Sequence, residues 1–251
     1  MTEKNKLTYK VWRKFYKLNN YFHKDLEKLI GSLVPESASV IEFGSKAGEL
    51  LASLPNKRRV GVCFENELLM YAQKRYKNVQ FTEFGEFERK VKDKYDYIIL
   101  SHTLNELEDV QIFLNGLKRI CHENTRIITL YFNFLWKPFV DLGERLDLRL
   151  PQHKEPNWLS ESDVDNFFYL TDFEKIKTGK RFLIPYEIPL ISKLSNKYLS
   201  QLPLINNFCL TDYSIYRPLP DKKNYSVSII IPARNEAGNM RGVLAKIPKL
   251  T

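Results

Sequence analysis

The chain is poor in cysteine: Cys63, Cys121 and Cys209 are its only three in 251 residues, and no two share a short spacing. Neither a zinc site nor a disulfide framework follows, and the reading is a reducing cytoplasm with no metal ion. Long apolar runs are missing as well. No stretch approaches the roughly 18 residues that a spanning helix needs, and the Lys-rich start has no apolar segment of the secretion-signal kind. Negative charge is in deficit, with 30 acidic residues against 39 basic ones and a formal charge of +9. Much of that excess lies early, at Lys4, Lys6, Lys10, Arg13, Lys14, Lys17, Lys24 and Lys28. A basic balance admits anionic partners, a membrane surface among them, although a solvated Lys-rich surface is the simpler account. No motif of the RNA-binding type accompanies this charge, so no nucleic-acid partner is expected.

What is present is enough for a core: 43% of residues are hydrophobic and 13% aromatic, which argues against disorder. Residues 9–33 carry apolar side chains at steps of three and four, the mark of one or two amphipathic helices. Packing on a sheet edge is the simpler account, and capping of the ligand pocket or contact with a membrane are the alternatives. From residue 38 short apolar runs alternate with helical patterns. Strands are expected at Ser39–Phe43, Arg59–Phe64, Asn78–Thr82, Tyr95–Ser101 and Arg126–Phe132, then at Phe173–Thr178 and Asn207–Tyr216. Helices are expected at Lys46–Leu54, Glu65–Tyr76, Phe87–Lys92, Asp109–Cys121 and Asp163–Tyr169, the last capped by Ser160 or Ser162. The Pro- and Leu-rich stretch Pro185–Pro203 reads as a helical insertion over one end of the sheet. The turn-rich Arg217–Lys223 marks a boundary, giving domains 1–218 and 219–251.

The most informative segment is Ser39–Leu51. Val40 and Ile41 lead to Glu42, and Gly44 and Gly48 then open a helical run. A strand, a glycine turn and a helix together hold a nucleotide-like ligand at the carboxyl edge of the first strand. Gly44 allows close backbone approach, and Glu42 offers a carboxylate to a ribose or an amino group.

Glu42-x-Gly44-x-x-x-Gly48 resembles motif I of class I S-adenosylmethionine-dependent methyltransferases, with Lys46 where the middle glycine is usual. Further segments fall in the family's order. Val60–Asn66 is similar to the second strand and its loop, with Cys63 at the usual acidic position and Glu65 two residues later. Phe84-Gly-Glu-Phe-Glu88 is similar to the loop after the third strand, and Tyr95–Leu107 to the fourth strand and the polar segment after it. The resemblance spans about residues 10–217. It implies an α/β fold: a doubly wound, Rossmann-like, mostly parallel sheet with an antiparallel last strand and N-terminal helices. It implies S-adenosyl-L-methionine as cofactor, with Glu42, Gly44, Ser45, Gly48 and Ser101 around it, Glu65 on the ribose, Glu86 on the adenine amino group and Phe87 on the adenine face. His102 is the candidate base. Asn105, Asn133 and Trp136 are the candidate acceptor contacts, for a small-molecule, sugar or lipid-linked glycan acceptor. Five of these have a plainer alternative: Glu65 as a helix-start carboxylate, Asn105 as a cap, His102 as a hydrogen-bonded structural residue, Phe87 and Trp136 as core.

Tyr225–Met240 resembles the opening of family-two glycosyltransferases of the GT-A fold, through Ile231, Pro232, Asn235 and Glu236. It is read as a truncated strand–helix fragment whose missing remainder would be the partner domain; one strand and helix bury no core. Two rival functions stand beside methyl transfer. One is a non-catalytic methyltransferase-like module, suggested by Lys46 and Cys63. The other is an NAD-dependent oxidoreductase, opposed by the glycine spacing.

Overall fold

Val40–Phe43 forms strand β1, and both of its faces are buried. Strands β2 (Arg59–Cys63) and β4 (Tyr97–Ser101) flank it in parallel, so neither edge is open. The computed structural model describes residues 8–90, 93–146, 148, 158–220, 229–232, 234 and 236–246. The other strands are β3 (Gln80–Glu83), β5 (Arg126–Phe132), β6 (Phe173–Arg181) and β7 (Thr211–Pro218). They make one seven-stranded sheet in the order β3-β2-β1-β4-β5-β7-β6. Among the described residues, only β7 runs antiparallel to its neighbours, β5 and β6.

Successive side chains on these strands face opposite sides of the sheet. Val40, Ile99, Ile128 and Leu130 pack with helices α2 (Asn20–Leu33), α3 (Glu49–Ser53) and α4 (Asn66–Arg75) on one face. Ile41, Val62, Ile98, Leu100 and Ile127 pack with α6 (Val110–Leu117) and α8 (Glu161–Leu170) on the other. This two-sided covering is what a continuous Tyr97–Leu100 apolar run requires. Helix α1 (Tyr9–Leu18) precedes α2 and is separated from it at Asn19. Helix α5 (Phe84–Lys90) follows β3, α7 (Lys137–Arg145) follows β5, and α9 (Ile191–Lys197) lies in the connection from β6 to β7.

Several boundaries differ from the sequence expectation, each for a local reason. The helix expected from Lys46 begins at Glu49, because Lys46 and Gly48 are held at φ 48° and 87°, outside helical backbone. Residues Phe84–Lys90 are helical, so Gly85 and Glu86 sit in a first turn and not in a loop. The final strand starts at Thr211, since Asn206–Phe208 is a 3₁₀ turn. The insertion is helical only over α9 and the 3₁₀ turn Leu199–Gln201. Ser160, with Asp163 in a reciprocal capping box, starts α8.

The chain divides into two units, Met1–Leu219 and Pro220–Thr251. In the second, α10 (Ala237–Ala245) is helical. The strand expected before it falls mostly on residues 221–228, outside the described residues, as does Asn235; residues 229–232 are not in a strand.

Candidate active site

β1 and β4 end side by side, with Phe43 in register with Leu100, and the chain leaves both at the same edge. From β1 it enters the turn Gly44–Gly48. Gly44 holds φ 70°, and a Cβ there would stand 3.2 Å from Thr103 Oγ1. That hydroxyl donates to Phe43 O at 2.7 Å, tying the β4 loop to the end of β1. Gly48 holds φ 87° and caps α3; a Cβ on it would collide with the Phe81 ring at 2.5 Å. Gly48 therefore shapes the turn from beneath.

Glu42 is buried at this edge, and its Oε2 has no hydrogen-bond partner among the described residues. Burial raises its pKa to about 8; Glu49 adds to the rise and Lys46 opposes it. At pH 7 the group is therefore a neutral acid until a cation approaches. Its wall opens on a cavity of about 420 Å³ that Gly44, Ser45, Lys46, Ser101 and His102 also line. The His102 ring stacks on Phe132, centroids 4.0 Å apart, with its own backbone at φ 57°.

Away from the sheet edge the cavity is apolar and aromatic. Helix α1 contributes Trp12, Phe15 and Tyr16, α2 contributes Phe22, His23 and Leu26, and α7 with its flanks contributes Trp136, Phe139, Val140 and Leu142. The polar ends of Tyr16 and Trp12 are already engaged within the wall. Tyr16 donates to Glu27 at 2.7 Å and Trp12 Nε1 to Glu49 at 3.1 Å. His23 stacks on Tyr16 at 4.4 Å, and burial lowers its pKa to about 4, so it is neutral at pH 7.

Lys46 is the unusual member. Its ammonium lies 2.6 Å from Glu106 Oε2 and 3.1 Å from Glu65 Oε1. Burial pulls its pKa down, but the two carboxylates outweigh it and leave the pKa above the ordinary value. Cys63 lies under the turn, 3.2 Å from Ser45 Oγ, and burial raises its thiol to about 11. It props the loop as a neutral thiol.

The structure thus gathers Glu42, Gly44, Ser45, Ser101, His102 and Trp136 around one cavity. It does not bring Gly48, Glu65, Glu86, Phe87, Asn105 or Asn133 into that wall. Glu65 reaches it only through Lys46. Thr82 Oγ1 donates to Glu86 at 3.3 Å, and Phe87 packs edge-on against Phe43 at 5.4 Å, beside a separate cavity of about 180 Å³. Asn105 is buried in a 3₁₀ turn. Asn133 caps the turn after β5 through Leu135 N at 3.0 Å and donates to Asn207 O at 2.8 Å. His23 and Thr103 carry no motif, so sequence reasoning missed them; Tyr16 belongs to the apolar period of residues 9–33, which pointed at these helices without singling it out.

The family model described as a methyltransferase domain matches residues 15–178. The chain belongs to the methyltransferase family. No curated protein matches this methyltransferase. Among solved structures it is similar to an S-adenosylmethionine-dependent methyltransferase, possible histamine N-methyltransferase, of Thermotoga maritima. The TM-score is 0.64 at 16% identity, covering 82% of this chain and 93% of that one. It is also similar to magnesium protoporphyrin IX methyltransferase of Synechocystis PCC 6803 with bound S-adenosylhomocysteine, at TM-score 0.56 and 14% identity, covering 84% and 94%. The same enzyme with bound S-adenosylmethionine matches at TM-score 0.54 and 14% identity, covering 84% and 90%. At these identities the structures show the fold. The family match ends at residue 178 and leaves residues 219–251 aside.

Proposed function

We propose that this methyltransferase transfers the methyl group of S-adenosylmethionine to a small molecule with an apolar body, bound in the 420 Å³ cavity at the β1–β4 edge. Glu42 carries the reading: a buried carboxyl oxygen without a partner among the described residues, beside a positive-φ glycine, is a costly arrangement unless a ligand group completes it. The donor set fits the cofactor at that end. Glu42 would take its ammonium, and Gly44, Ser45 and Ser101 would lie along its amino-acid portion. Glu65 would serve the ribose only after giving up Lys46. The cofactor supplies a methyl on a positive sulfur that leaves as a neutral thioether, so leaving-group catalysis is not needed.

The chain's own residues do the rest. The aromatic wall excludes water and fixes the acceptor's approach, and such orientation supplies most of the rate in a displacement of this kind. His23, at a pKa of about 4, is too weak a base to take a proton from a hydroxyl; it accepts a hydrogen bond and orients the acceptor. His102, after the end of β4 and lining the cavity, would receive a proton where the acceptor must lose one. A many-hydroxyl sugar fits this wall poorly, so of the small-molecule, sugar and lipid-linked glycan acceptors expected from sequence the small molecule with an apolar body is preferred.

Lys46 favours a second reading, a non-catalytic module whose ribose carboxylate is held shut. Calorimetric titration with S-adenosylhomocysteine separates the two. Binding by wild type that is lost in Glu42→Ala supports the enzyme; wild type that binds neither it nor S-adenosylmethionine refutes it. NAD serves as the control, and a stabilising shift with NAD alone would favour the oxidoreductase.

A further inference from the structure

The connection between β6 and β7 is built inside out. In α9 the buried residues are Ser192 and Ser195, while Ile191 and Leu194 are more than half exposed. The pattern continues beyond it, with Ser200 buried and Leu204 82% exposed. The polar groups are used internally. Ser192 Oγ donates to Tyr186 O and accepts from Ile188 N at 2.9 Å, and Asn196 exchanges two hydrogen bonds with the Ile184 backbone. Leu190 is 76% exposed and sits at φ 63°, a conformation leucine rarely adopts. Single exposed apolar residues need no explanation, but a contiguous set of them does.

This segment borders the mouth of the cavity. Trp136 Nε1 donates to Phe208 O at 2.8 Å, fastening the segment to the end of β5. Phe139, Leu142, Leu146 and Tyr186 line the cavity and are themselves more than half exposed, so the apolar rim is continuous with the apolar interior. Charge around it has mainly one sign. Residues 188–211 contain no acid and carry exposed Lys193 and Lys197. Helix α1, on another side of the cavity, exposes Lys10, Arg13, Lys14 and Lys17, with no acid between residues 4 and 24. Asp141, Glu144, Asp147 and Glu187 are the acids nearby in sequence, Asp141 is paired with Lys137 at 3.0 Å, and Glu27, Glu42, Glu49 and Glu106 belong to the cavity wall.

We infer that this rim and the α9 segment form a docking face for an anionic lipid bilayer, through which an apolar acceptor enters the cavity without crossing water. The apolar side chains sink to the acyl boundary and the lysines meet the headgroups, the division of labour of an interfacial amphipathic element. Among the described residues no helix is long and apolar enough to cross a membrane, so the contact is peripheral. The route for the acceptor rests on the proposed function, whereas the docking face itself does not.

The test is vesicle co-sedimentation of the full chain without cofactor, comparing phosphatidylcholine vesicles with mixed phosphatidylcholine–phosphatidylglycerol vesicles. The anionic lipid should raise binding about tenfold or more, roughly the effect of two lysines at a charged surface, and salt should reverse it. Leu194→Glu with Leu204→Glu should abolish binding; neither residue lines the cavity, so the melting temperature and S-adenosylhomocysteine affinity should stay as in wild type. Lys193→Glu with Lys197→Glu should remove the preference for anionic lipid. Wild type that ignores both vesicle types overturns the inference. So does a dimer in sedimentation velocity that the leucine substitutions dissociate without any vesicle binding, since the face then belongs to a second copy. Vesicle binding without cofactor binding would sink the enzyme reading and leave the docking face standing.

Discussion

Lys46 Nζ stands 2.6 Å from Glu106 Oε2 and 3.1 Å from Glu65 Oε1, joining the glycine turn to the loops after β2 and β4. The lysine does this from φ 48°, a conformation that costs a side chain about 1–2 kcal/mol. An ion pair therefore holds strain at the edge where a ligand is expected, and it occupies the carboxylate that a ribose would need.

Lys46→Gly removes both effects. The turn accepts glycine at its left-handed position without strain, and Glu65 no longer has to leave an ammonium. A partly buried pair of this kind is worth on the order of 1 kcal/mol, so S-adenosylhomocysteine affinity should rise about fivefold. Calorimetry on both proteins measures it. Unchanged affinity would show that the pair survives ligand binding, with Glu65 uninvolved.

Glu42 gives a pH dependence of defined sign. Its folded pKa of about 8 lies above the ordinary 4.5. A raised carboxyl pKa means that the native state holds the proton more tightly. The stabilisation is complete below about pH 4.5 and declines as pH rises through 8. Glu42→Gln should melt near wild type in acid and above it at pH 9. A cationic ligand group at Glu42 reverses the preference, so binding below pH 8 expels a proton and tightens with pH by at most about tenfold per unit. Titrations in buffers of different ionisation heat would detect that proton in wild type and miss it in Glu42→Gln. Equal proton release from both would remove Glu42 from the site.

His102 and His23 separate chemistry from positioning. If His102 receives the proton, His102→Ala should lower kcat by about 10²–10⁴ with cofactor affinity retained. His23→Phe keeps the aromatic stack on Tyr16 and should act mainly on acceptor KM. The split is measured on any acceptor that turns over; a kcat collapse in His23→Phe alone would exchange the two roles.

How far these features are legible in the sequence depends on whether local pattern or tertiary contact decides them. Tyr97–Ser101 is legible because a strand buried on both faces demands a continuous apolar run, Val40–Phe43 because Val40 and Ile41 lead into a glycine turn, and the reversal at β7 comes with the family resemblance. Phe84–Lys90 is misread because Gly85 suggests a loop, yet nothing crowds that glycine and the helix forms. At the site, Glu42 and Gly44 are legible as a strand end and its turn. The Lys46 pairing is not, since Glu65 and Glu106 lie 19 and 60 residues away in sequence and meet only in the fold. The apolar stretch Pro185–Pro203 reads as a covering element either way; only burial shows that its serines face inward.

A last prediction concerns stability away from the cavity. Asp96 Oδ2 accepts from Ser39 N and Ser39 Oγ, both at 2.7 Å, and Oδ1 lies 3.0 Å from His122 Nε2. These bonds fasten the starts of β1 and β4, opposite the ligand edge. They hold the Asp96 pKa below its ordinary value, the Ser39 backbone N–H contributing most. With a depressed pKa, the stabilisation is present above the ordinary carboxylate range and disappears as pH falls through the lowered value. Hydrogen bonds to a charged group are worth about 1.5–3 kcal/mol, so Asp96→Ala should cost about 2 kcal/mol at pH 7. The deficit should shrink as pH falls towards 3. Because β1 still ends at the same Glu42 and Gly44, cofactor affinity of the folded variant should match wild type. Urea unfolding at two pH values with a parallel cofactor titration checks both halves; a loss of affinity without a loss of stability would mean that the β1–β4 pairing itself, and not its far edge, positions the site.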